Sequence, residues 1–298
     1  MTSNNAGLSV PDWPTSFGSL LKMPPMIGGV RYEHGHRMIA ELLGLLTIVV
    51  AIWTWRVDQR RWMRGLTLGA VAGVIFQGAL GGLTVLKLLP PIVSTAHAMV
   101  GQTMFCVLAA IAVFTSQGWL QEPSEKISAE DAAPLLRHGW MLIGFLYLQL
   151  ALGAGFRHVW TKLGPIGANV WPANKIIHTF LYPHIFNALL VSGLVLYLGL
   201  RSISRHSGIS LLRKPGHTLL MLLVFQLILG FSAYVTRIVN GVNELQPTGA
   251  LVFTTVAHLG VGALILATTL IFTIQVYRHA ERKAERSALQ HGREVATA

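Results

Sequence analysis

Apolar runs about as long as a bilayer crossing alternate along this chain with short polar blocks. Seven runs stand out, roughly residues 34–55, 66–88, 94–116, 138–157, 177–200, 216–238 and 250–277. Each approaches the roughly 20 apolar residues that a helix needs to cross hydrocarbon. The segments between them are short, except 117–137, which is polar, leans acidic and reads as a solvated loop. The pattern predicts an all-α fold, a polytopic membrane helical bundle with seven visible spans.

Composition supports the membrane reading. Hydrophobic residues make up 52% of the chain and charged residues 12%, against about a quarter charged in a soluble domain. The net charge of +11 raises the question of nucleic-acid binding. The basic residues sit in blocks between spans, however, so nucleic acid is excluded as a partner. Fifteen of the 23 Lys and Arg fall on one side of the predicted membrane. The positive-inside bias makes that side, with the C-terminal tail, cytoplasmic, and puts the N-terminal segment outside a bacterial-type plasma (inner) membrane. Residues 1–30 are polar and rich in Pro and Gly, unlike a targeting peptide. Cys106 is the single cysteine, so no intrachain disulfide or CxxC site exists, and any metal or haem needs other ligands.

Several stretches echo one another. "IFQGALGGLTV" (75–85), "YLQLALGAGFRH" (147–158) and "VFQLILGFSAYV" (224–235) each place a Gln four residues before a Gly. "STAHAMVGQTMF" (94–105) and "TTVAHLGVGALI" (254–265) each place a His early in a span. A duplicated bundle accounts for these echoes. It pairs 34–55 with 177–200, 66–88 with 216–238, and 94–116 with 250–277. The run 138–157 has no partner, so two similar four-helix halves imply an eighth span before Met1.

The repeat brings histidines to one depth. His36 lies twenty residues before Arg56, as His258 lies before Arg278; His97 opens its span, and His184 or His178 opens 177–200. Ionisable groups within spans are costly to bury and mark function by default. Four histidines on facing helices suit bis-histidine ligation of haem iron. His184 is preferred to His178 because Ala188 follows it at the spacing by which Ala40 follows His36. Glu33, three residues before His36, shares its helical face. It is placed either to pair with Arg37 or Arg31, or to handle protons at the site that His36 defines.

"GLSVPDWPTSFG" (7–18), "YEHGHR" (32–37), "QGALGGLTV" (77–85), "HAMVGQTMF" (97–105), "LGAGFRH" (152–158) and "AHLGVGAL" (257–264) resemble the haem A synthase family. The resemblance runs from about residue 7 to residue 278. It implies an eight-helix bundle of two similar halves that oxidises the C8 methyl of haem O to a formyl group, with oxygen from water, through a carbocation-like intermediate. Glu33 falls on the family's catalytic carboxylate. His36 and His97 fall on the axial ligands of the substrate haem, and His184 and His258 on those of a haem b. Arg37, His178 and Arg157 are auxiliary candidates. The implied organisation is an N-terminal half-bundle (1–120) for the substrate haem, a cytoplasmic loop (121–137), a C-terminal half-bundle (138–278) for haem b, and a basic tail (279–298). Haem O synthase and cytochrome oxidase assembly factors are the implied partners, and a homo-oligomer stays open. The chain departs from the family in lacking a cysteine pair in its outer loops and a helix before "GLSVPDWP".

Three other functions fit some of these residues. A di-haem b electron-transfer protein needs the four histidines but not Glu33. A transporter or proton channel uses the histidines as proton relays, and a structural subunit needs neither.

Overall fold

The computed structural model describes residues 6–20, 22–123, 125–164, 171–240 and 247–281. Seven helices are long and apolar enough to cross a membrane: α1 (Val30–Val57), α2 (Arg61–Leu86), α3 (Pro91–Thr115), α4 (Ala129–Leu163), α5 (Ala173–Arg205), α6 (Ser210–Val239) and α7 (Gly249–His279). The predicted spans all appear, and the described residues hold no named strand. The chain is an integral membrane protein. Its outer surface carries many large exposed apolar side chains, Leu42, Leu46, Ile75, Phe186, Phe225 and Phe253 among them. Such a surface is stable only against lipid.

Most helices run past the boundaries read from hydropathy. The longest extension is in α4, whose span was expected at 138–157; it starts at Ala129 and reaches Leu163. The Ser128 hydroxyl accepts from the Asp131 N–H at 3.1 Å, capping its start. The segment 117–137, read as a solvated loop, therefore gives its last nine residues to α4, and His158, just past the expected span, lies within the helix. In α5 the backbone widens into a π turn at Ile177–Leu181. Pro183 has no N–H for the Thr179 carbonyl, which favours that wider turn. The expected basic tail falls mostly at 282–298, outside the described residues.

Packing is unequal along the chain. Helices α4, α5, α6 and α7 close a ring, each packed on the next and α7 back on α4. Leu135, Leu142, Val195, Leu198, Leu219 and Phe272 fill its centre. Helices α1, α2 and α3 form an open row, joined to the ring through α3. In neither group do the two histidine-bearing helices pack on each other: α1 stands off from α3, and α5 from α7.

A folded segment covers the end where α1 starts. Val10 is wholly buried, and the Trp13 ring lies against Gly82 so closely that a Cβ there would fall 2.5 Å from it. Asp12 organises the segment's turn, accepting from the N–H groups of Phe17 and Gly18 at 2.8 Å each and from the Thr15 hydroxyl. Gly18 has a φ of 76°, open to glycine at no steric cost. The Thr15 hydroxyl chiefly, then the Gly18 and Phe17 amides, hold the Asp12 carboxyl down to about 2 from its ordinary 3.8, against an opposing effect of burial. A carboxyl lowered by folding stabilises the turn fully above its unfolded value and loses that contribution as pH falls toward the folded one. The protection factors of the Phe17 and Gly18 amides, their exchange rates divided into the intrinsic rates at the same pH, should therefore hold from neutral pH to 3.8 and drop as pH falls toward 2. In Asp12→Asn that dependence should vanish.

Candidate haem-binding site

The four predicted histidines sit at one end of the bundle, in two facing pairs. The rings of His36 (α1) and His97 (α3) have centres 6.5 Å apart; those of His184 (α5) and His258 (α7) are 6.3 Å apart. Two imidazoles sharing one metal atom, each about 2 Å from it through a ring nitrogen, have centres about 6 Å apart. Each pair thus leaves room for one metal atom across a gap that the backbones leave open.

The thrice-repeated Gln-x-x-x-Gly spacing has a physical use here, because each copy seats one histidine of a neighbouring helix. A Cβ on Gly81 would lie 3.2 Å from the His97 ring; on Gly153, 2.9 Å from His184; on Gly230, 3.0 Å from His258. The glutamines hold the same residues. Gln77 donates to the His97 carbonyl at 2.9 Å, Gln149 bonds the His184 ring nitrogen Nε2 at 3.1 Å, and Gln226 approaches that of His258 at 3.4 Å. His184 Nδ1 faces the Gln149 carbonyl at 3.1 Å, so it carries the proton and leaves the Nε2 lone pair for a ligand. Asn187 steadies Gln149 in turn, donating to its side-chain oxygen at 2.7 Å. Bound metal would take over the lone pair on which the Gln149 amide now rests.

The donor set suits haem. Among the described residues no group of three or more His, Cys, Asp or Glu could hold a metal ion. A two-histidine pair leaves a tetrahedral zinc shell half filled. It completes an iron whose four equatorial positions belong to a macrocycle. Helices α1 and α3, like α5 and α7, do not pack on each other, and the Nδ1 atoms of His97 and His258 are buried without a partner among the described residues.

Glu33 is buried, 3% exposed, and both its oxygens are engaged. Oε1 accepts from Arg37 at 2.9 Å, and Oε2 from the Val10 N–H at 3.0 Å. Arg37 also donates to the carbonyls of Val10, Asp12 and Thr15, at 3.1, 2.7 and 2.9 Å. Of the two pairings open to Glu33, the structure has Arg37; Arg31 lies over its neighbour Tyr32. Glu33 and Arg37 together tether the N-terminal segment to α1, one turn from His36. His34 belongs to the same tether, its Nδ1 3.0 Å from Ser16 Oγ. His178 is not brought to the pair; its ring stands edge-on to Tyr182 at 4.9 Å. Arg157 lies on the face of α4 that carries Gln149 and Gly153. Arg237, which sequence reading counted only as a charge, ends α6 beyond Gly230. It stands in the π turn Val235–Val239, and no spacing in the sequence singled it out.

The COX15-CtaA family model, described as cytochrome oxidase assembly protein, matches residues 30–244. Among curated relatives, heme A synthase from Symbiobacterium thermophilum is 32% identical over 54% of this chain, which spans 52% of that protein. Heme A synthase from Alkalihalophilus pseudofirmus is 25% identical over 76% of each chain. The enzyme of that name from Shewanella oneidensis is 26% identical over 89% of this chain and 87% of its own. The family match covers all but the last of the seven spans, and so includes His36, His97 and His184 but not His258. The chain belongs to the COX15-CtaA family of cytochrome oxidase assembly proteins, the haem A synthase family.

Proposed function

We propose that this chain is a haem A synthase, converting the C8 methyl of haem O to a formyl group with oxygen from water, in support of cytochrome c oxidase assembly. The observation that carries the proposal is the pair of histidine couples, 6.5 and 6.3 Å apart, at one end of a chain belonging to this family. His36 and His97 hold the substrate haem in the N-terminal half, and His184 and His258 hold a haem b in the C-terminal half. A haem b bound there supplies a one-electron carrier. Converting methyl to formyl takes up one water and releases four protons and four electrons, the electrons passing to a membrane acceptor.

Glu33 is the proposed catalytic residue. It lies three residues from His36 on the same helix, where a carboxylate can accept a proton from the attacking water or stabilise positive charge beside the ring. Arg37 contacts it directly, at 2.9 Å. The N-terminal segment lies over this end of α1 and helps exclude bulk water. By its basic loops, the C-terminus is cytoplasmic and the histidine end faces the outside of a bacterial-type inner membrane. Haem O synthase and oxidase assembly factors are the proposed partners.

A second reading, a di-haem b electron-transfer protein, gains from one observation: both Glu33 oxygens are already bonded, as in a purely structural ion pair. Co-expression with haem O synthase, followed by extraction and identification of the bound haems, separates the two. Haem A production supports the synthase. Haem b alone, with haem O supplied, would favour the carrier, and a purified protein with no haem would sink both.

A further inference from the structure

Two arginines in the C-terminal ring have no partner among the described residues. Arg157 Nε and Arg237 Nε are shielded from solvent without a hydrogen bond, and among the described residues neither side chain forms an ion pair or donates to any acceptor. A guanidinium group shielded from water in a membrane bundle is strongly unfavourable unless an anion joins it. Arg157 lies on the stripe of α4 that seats His184, four residues past Gly153 and about 6 Å further along; Arg237 lies past Gly230, in the π turn that ends α6. A flat ring lodged between His184 and His258 would therefore have both guanidinium groups beyond the same edge.

We propose that Arg157 and Arg237 form a two-pronged seat for the paired carboxylates of the tetrapyrrole held between His184 and His258, and that this seat makes the C-terminal group resident. The proposal rests on the haem-binding reading above. Guanidinium and carboxylate match in charge and fork geometry, and two of each neutralise fully. Among the described cations of the N-terminal half, Arg37 is engaged by Glu33 and three carbonyls, Arg31 lies over Tyr32, and Lys22 and Lys87 are exposed, so none forms an enclosed pair. A tetrapyrrole there is held by its two histidines without paired cations, as suits a substrate that must leave as product. The asymmetry assigns retention to one half and turnover to the other.

The test uses the full chain carrying His36→Ala, so that only the C-terminal site holds haem. Transfer of haem to excess apomyoglobin is followed by absorbance. Arg157→Met and Arg237→Met should each speed transfer about tenfold or more, the scale of one lost charge-assisted bond. Arg157→Lys and Arg237→Lys, which keep the charge, should fall between. Haem dimethyl ester, whose carboxylates are blocked, should leave the parent protein as fast as haem leaves the double Met variant, with no further effect of the substitutions. Equal retention of haem by parent and Met variants would overturn the proposal, as would tight retention of the dimethyl ester. Loss of co-purifying anionic phospholipid from the Met variants, with haem retention unchanged, would also overturn it, assigning the arginines to a lipid phosphate. A parent protein with no haem at all would remove the haem-binding reading itself.

Discussion

Glu33→Gln should lower haem A production by about a hundredfold or more, the scale of a lost acid–base group, while both bis-histidine spectra survive. The amide keeps the size of the side chain and one acceptor for Val10 or Arg37, at a stability cost of about 1–3 kcal/mol for the contact left unmatched. The structure makes a control necessary, because Glu33 also fastens the N-terminal segment through Val10 and Arg37. Arg37→Gln loosens that segment as well but leaves the carboxylate in place. If Glu33 acts only as a strut, the two variants should lose production equally. If the carboxylate does chemistry, Glu33→Gln should be much the worse. Glu33→Ala should also retain haem and lose production, with a larger loss of stability because Arg37 is left buried and unpaired. Haem extraction and chromatography measure production, and thermal denaturation measures the strut. Normal production by Glu33→Gln would remove the catalytic assignment.

The second large effect is expected at the glycine seats. In Gly153→Val the new Cβ would stand 2.9 Å from His184 Cε1, and that ring cannot easily retreat, because Gln149 holds both its nitrogens. Gly230→Val crowds His258 from the other side, with the Cβ 3.0 Å from its ring. Overpacking of this kind costs about 1–3 kcal/mol, and here the strain falls on the geometry that a shared iron requires. Either change should weaken haem binding in the C-terminal half by about tenfold or more, seen as loss of one of two bis-histidine signals in the optical and electron paramagnetic spectra. Gly81→Val, with its Cβ 3.2 Å from His97, should remove the other signal. Gly144 is the control, since a Cβ there meets nothing within 4 Å. Undiminished haem in both Gly153→Val and Gly230→Val would mean that the histidine pair is not a ligand pair.

Much of this protein is legible in its sequence because a bilayer imposes a one-dimensional rule. A span needs a continuous apolar run and satisfies its own backbone, so hydropathy alone locates all seven helices. Their ends are less legible. Helix α4 carries Glu130, Asp131, Arg137, Arg157 and His158 within it, and charges that are partnered or enclosed by neighbouring helices do not stop a helix as they end a hydropathy window. The periodic echoes also give the depth of His36, His97, His184 and His258, since depth follows from counting residues along a helix.

What counting along the chain does not give is which helix stands opposite which. The Gln-to-Gly spacing is visible in the sequence, but it becomes a histidine seat only when α2 meets α3, α4 meets α5 and α6 meets α7. The same holds for Glu33, whose pairing with Arg37 was one of two alternatives and whose bond to Val10 depends on a segment folding back over α1. Arg157 and Arg237, eighty residues apart in sequence, are brought to the same end of one ring only by the fold. By itself, then, the sequence determined the spans, the depth of the histidines and the family resemblance, because hydropathy and helical period act locally. The tertiary structure alone decided the histidine partners, the tether on Glu33 and the unpaired arginines, because these depend on side chains meeting across helices.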